Sequence, residues 1–120
     1  MTERWLGPGL EGFRQAQAEP AQLVLADGGD RRTTVQRRST VAGFSPFGQT
    51  RWRPEDQARF MAGAACLPDA ETVLEPMSRV VDWQDWGLGR LEGALAKGGW
   101  GPTPEGYVVR QVGLVPGAKG

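Results

Sequence analysis

The chain has 120 residues, 14 Lys and Arg balanced by 14 Asp and Glu, 18 Gly, 9 Pro, one Cys and no His. That length fits one domain with one modest core, since a chain of this size buries about two-thirds of the surface it exposes when unfolded. Without His the commonest neutral-pH acid/base and metal ligand is gone, and the lone Cys66 excludes an internal disulfide and a cysteine zinc site.

Residues 1–20 read as an N-terminal arm. Trp5 and Leu6 precede a Gly7-Pro8-Gly9 turn, and residues 10–18 suit a short helix that Pro20 would end. The arm could fold back on its own domain or dock on a neighbouring subunit. Residues 21–26, AQLVLA, are a strand candidate, followed by the turn Asp27-Gly28-Gly29-Asp30. Residues 31–41 alternate like an antiparallel strand with one wet face, Thr33, Val35 and Val41 sharing one parity. A loop follows over Gly43, Phe44, Ser45, Pro46, Phe47, Gly48, Gln49 and Thr50. Its two Phe could pack on the core, cap a partner or line a pore. Arg51-Trp52-Arg53 reads as the returning strand, with Trp52 pointing inward.

Residues 54–61 carry Pro at a first helical position and acids in the first turn, which suits a short helix; a loop running into a strand near residues 60–67 is the alternative. Cys66 sits in an apolar run and is expected to be a buried small hydrophobe. Residues 68–71 form a turn, 78–83 a strand, 84–89 a turn, and residues 88–95 alternate. Residues 97–106 read as an irregular connection and 107–115 as the clearest strand. Short apolar stretches punctuated by Gly and Pro predict a small, mainly β fold with many turns and long loops over residues 21–115. Residues 116–120 form a flexible tail.

Charge is unevenly placed. Arg31, Arg32, Arg37, Arg38, Arg51 and Arg53 fall in residues 31–53 without an acid, whereas residues 54–92 hold eight acids and three arginines. Complementary patches of this kind favour association of identical subunits, or they neutralise each other within one fold. The arginines suit phosphate oxygens, and Phe44, Phe47 and Trp52 interleave as in single-strand binders, although the chain as a whole is neutral. No nucleophile elbow, phosphate loop or metal set is present, so no catalytic, cofactor or metal residues are assigned and an enzyme is not expected. No secretory signal pattern opens the chain, and no apolar run nears the roughly twenty residues of a membrane span; a soluble, non-secreted protein is expected.

Val35-Gln36-Arg37-Arg38, the loop 44–49 and Trp52, then Leu67-Pro68-Asp69, Ser78-Arg79-Val80-Val81, Trp100-Gly101-Pro102 and the closing stretch 107–112 follow one another in an order that resembles the head-closure (stopper, head–tail connector) proteins of tailed phages. The resemblance covers most of residues 28–115. The loop has Phe and Gln where the family pattern favours an acid and Asn, and Ser78 stands where it has an acid. The resemblance implies a small β-barrel, a ring of six or more copies in the virion neck, and contacts with portal or adaptor and tail-terminator proteins. It makes residues 43–50 the channel or gate loop, and the six arginines DNA- or subunit-contacting, with non-specific DNA contact. Two rivals stand beside it: a small β-barrel nucleic-acid-binding or regulatory protein, and an inhibitor or antitoxin-like module using Trp83, Trp86 and Trp100.

Overall fold

The computed structural model describes residues 10–118. In chain order they form α1 (Leu10–Asp27), α2 (Pro54–Ala64), α3 (Glu71–Met77), two 3-10 turns (Asp82–Gln84 and Gly87–Arg90) and the strands β1 (Leu95–Thr103) and β2 (Gly106–Leu114). Among the described residues β1 and β2 make one two-stranded antiparallel sheet. The domain is therefore a small α/β unit with an open hairpin, not the mainly β fold expected from the Gly and Pro spacing, nor the small antiparallel β-barrel or sandwich that goes with the resemblance. Trp5, Leu6 and the Gly7-Pro8-Gly9 turn lie outside the described residues.

The helix expected over residues 10–18 is present, but it continues through Pro20 and takes in residues 21–26, which the sequence suggested were a strand. Helical spacing puts Ala18, Gln22 and Leu25 on one face, and Ala18 and Leu25 are buried there. Leu23 and Val24 point outward. A helix satisfies its own backbone and gives up only the bond that Pro20 cannot donate. An isolated strand would need a ladder partner. At the helix end Gly29, in the left-handed region at φ 98°, turns the chain so that the Asp30 amide donates 2.8 Å to the Leu25 carbonyl.

Residues 31–41 are irregular and unpaired, and no strand is formed there or at 51–53. The reason lies in their side chains. The Val35 amide donates to Gln22 Oε1 (2.8 Å), the Gln36 amide to Thr50 Oγ1 (2.9 Å) and the Thr40 amide to Gln49 Oε1 (2.6 Å). Ser, Thr and Gln groups thus take the amides that a β-ladder would have used.

The helical alternative for residues 54–61 is the one adopted. Pro54 opens α2, and Glu55 and Asp56 occupy its first turn. Gly63 lets α2 approach α1 closely: a Cβ there would run into the carbonyl of Gly28, and one on Gly28 would meet the Phe60 ring. Cys66, expected in the core, is exposed because α2 ends at Ala64 and the chain turns outward. The strand expected at 78–83 is instead a turn and a 3-10 segment, and the alternating stretch 88–95 begins as another 3-10 turn. The stretch 97–106, read as irregular, is mostly β1. Its pairing runs from Leu95 opposite Leu114 to Thr103 opposite Gly106, and the strand expected at 107–115 is β2. Gly98 permits this packing, since the Trp86 ring lies against the place where its Cβ would be.

The buried apolar residues are Ala18 and Leu25 of α1, Met61 of α2, Met77 of α3 and Ala96 of β1. α2 packs on β2, α3 on β1, and α1 on α2. No described helix is long and apolar enough to cross a membrane.

Candidate functional site

The most deeply buried charged side chains among the described residues lie between the end of α1 and the start of α2, where two aspartates are almost fully buried. Asp30 is 1% exposed and Asp56 is 2% exposed. Asp30 Oδ1 accepts from the amides of Arg32 (3.1 Å) and Thr33 (3.0 Å); its Oδ2 accepts from Trp52 Nε1 (2.8 Å) and from the Thr33 hydroxyl. Burial by itself raises the pKa of such a carboxyl, but the bonds from Thr33, Arg32 and Trp52 outweigh it and hold Asp30 below its ordinary value.

Asp56 Oδ1 accepts from Arg32 Nε (3.2 Å) and Nη2 (2.8 Å), and from Arg59 Nη1 (3.2 Å) one turn along α2. The hydrogen bond and charge of Asp56 raise the Arg32 pKa, with Glu55 and Asp30 adding to it. Trp52 stacks edge-on against Phe60 with ring centroids 5.6 Å apart. It is half-buried, pointing inward as expected, but it serves Asp30 as a donor and does not belong to a strand.

These anchors shape a recess of about 400 Å³ in which Arg32, Arg51 and Arg53 stand with Asp56, and Thr34, Thr40 and Gln49 lie between them. Arg32 is tethered to Asp56 while more than half of its side chain stays exposed. Arg51 and Arg53 form no ion pair among the described residues. Arg31, Arg37 and Arg38 do not line the recess. Arg37 instead pairs with Glu19 of α1. The structure thus brings together three of the six arginines singled out in the sequence, and it assigns one acid of the acidic segment, Asp56, to the basic segment of the same chain.

The loop 43–50 is irregular and closes on itself. Gln49 Nε2 donates 2.7 Å to the Ser45 carbonyl, its amide donates 3.1 Å to the Pro46 carbonyl, and its Oε1 accepts from Thr40. Pro46 is buried, whereas Phe44 and Phe47 are 65% and 78% exposed. Of the three tryptophans of the rival reading, Trp83 and Trp100 are exposed and Trp86 is committed to packing on Gly98.

The anchoring roles of Asp30 and Asp56 were not read from the sequence. Asp30 had a local signal, an aspartate three residues before Thr33 at a helix exit, which suits side chain-to-backbone bonding. Asp56 had none beyond its place in a first helical turn. No cluster of acidic or Cys side chains that could hold a metal occurs among the described residues. Compared with family models, curated proteins and solved structures, the chain matches none.

Proposed function

We propose that this chain is a non-catalytic structural subunit that completes its packing against further copies of itself in a multi-copy assembly. The observation that carries this is uncovered apolar surface. Among the described residues the buried apolar core is Ala18, Leu25, Met61, Met77 and Ala96, while Leu23, Val24, Val73, Trp83, Trp100 and Tyr107 are each about half or more exposed. The accessible surface is 9211 Å². A compact monomer of this mass exposes about 6,300 Å². A surface larger than that of a compact monomer, carrying these large apolar side chains, supports association with further copies. A ring in a phage virion neck, joining portal or adaptor to tail, is the particular form to which the sequence resemblance points. The barrel once attached to that resemblance is not part of the proposal.

Sedimentation velocity and native mass spectrometry of the full chain at about 5 and 100 µM test it. A discrete multi-copy species is expected, which Leu23→Glu combined with Trp83→Ser dissociates while helical circular dichroism is kept. A well-folded monomer at both concentrations overturns the reading.

A further inference from the structure

We infer that the recess between the end of α1 and the start of α2 is a binding site for single-stranded nucleic acid, with phosphates on Arg51 and Arg53 and bases on Phe44 and Phe47. Five observations converge on it. The recess holds three guanidinium groups against one carboxylate, and that carboxylate, Asp56, is buried and already engaged by Arg32 and Arg59. Arg51 and Arg53, exposed and outside every ion pair among the described residues, leave their donor forks available to phosphate oxygens.

Arg32 adds a third positive charge whose position is fixed by Asp56, so it loses little freedom on binding. The wall is polar, with Thr40 and Gln49 able to bond to phosphate or sugar. Finally, Gln49, which lines the recess, belongs to the same closed loop as the exposed Phe44 and Phe47.

The lining chooses among anions. A recess of about 400 Å³ walled by Arg, Thr, Gln and Asp side chains lacks the apolar lining with which small-molecule sites bury their ligands. A strand crossing the recess needs no enclosure, and exposed aromatic rings offer it faces on which unstacked bases sit. A duplex keeps its bases stacked and would leave the two Phe unused. This inference does not depend on whether the chain assembles.

The test is fluorescence anisotropy of the full chain with a labelled 20-mer of deoxythymidine, titrated from about 50 to 300 mM salt. Arg51→Ala/Arg53→Ala is expected to weaken binding at least tenfold at the lowest salt. It should also flatten the slope of log affinity against log salt by about 1.4, the loss of two single-strand phosphate contacts. Arg31→Ala/Arg38→Ala removes the same charge outside the recess and is expected to change affinity less than threefold. Phe44→Ala/Phe47→Ala should weaken binding severalfold at every salt concentration, because stacking is not screened. Equal losses in the two arginine pairs, equal affinity for a duplex of the same length, full displacement by millimolar inorganic phosphate, or no binding by the unaltered chain would each overturn the inference.

Discussion

At the scale of single residues, Asp30 is the group on which the local structure depends most. Its four donors come from Arg32, Thr33 and Trp52, so one carboxylate at the α1 exit holds the chain that follows it and the residue that leads into α2. Because those bonds hold its pKa below the ordinary value, the sign of its pH effect is set. A carboxyl depressed in the folded state stabilises the fold above its unfolded pKa, near 4, and that contribution is lost as pH falls through the folded value. Urea unfolding from pH 6 to pH 2.5 should therefore show stability dropping below about pH 4. Asp30→Asn should make that drop shallower, and at pH 7 it should cost about 1–3 kcal/mol, because an amide nitrogen then faces donors. An acid limb of unchanged steepness in the variant would show that Asp30 is not the group being titrated. Trp52 separates two contributions. Trp52→Phe keeps an aromatic ring against Phe60 but removes the indole donor, for an expected loss of about 1.5 kcal/mol. Trp52→Ala loses the packing as well and should cost about 3 kcal/mol.

At the scale of elements, the contact between α1 and α2 turns on Gly63. Alanine in a helix interior is favoured over glycine by about 1 kcal/mol, yet here its Cβ would meet the Gly28 backbone, which cannot swing aside as a side chain would. Overpacking costs about 1–3 kcal/mol, so Gly63→Ala should lower the melting temperature despite its better propensity; a higher one would place the two helices further apart. The same region shows what the sequence could convey. α2 was legible from Pro54 and its acidic first turn, and β2 from its run of Val and Tyr, because both signals are local. Residues 21–26 and 31–41 were misread as strands. Their apolar and alternating patterns are real, but the outcome depended on remote side chains: Gln22 reaching the backbone of residues 33–35, and Thr50 and Gln49 taking amides across the loop. β1 was hidden by its glycines, which make poor strand formers in isolation and good neighbours for Trp86. Half of the candidate site was legible as arginines, but its buried aspartates were not: the spacing of Asp30 and Thr33 marks local bonding without marking burial, and Asp56 reads like any acid of a first helical turn.

At the scale of the whole molecule, shape and core size point the same way. The radius of gyration is 16.3 Å and the extents are 52 × 32 × 25 Å. A compact domain of this length has a radius near 13.5 Å. Trp100 and Val109 are register partners, as are Pro102 and Tyr107, so these four share one face of the sheet. Ala96 and Gly98 lie on that face nearer the base, where Trp86 covers Gly98, whereas Trp100, Tyr107 and Val109 toward the tip are exposed. A fold with so small a core has little stability to draw on as a lone chain. If further copies cover this surface, folding and association are linked, and the melting temperature must depend on protein concentration. Differential scanning calorimetry between about 5 and 200 µM should show the midpoint rising by several degrees. Trp100→Ser combined with Tyr107→Ser, which alters only the exposed end of the hairpin, should lower the midpoint most at high concentration and flatten its rise. A midpoint independent of concentration, together with two-state unfolding of a single chain, would mean that the five buried apolar residues and the two anchored aspartates hold the domain by themselves.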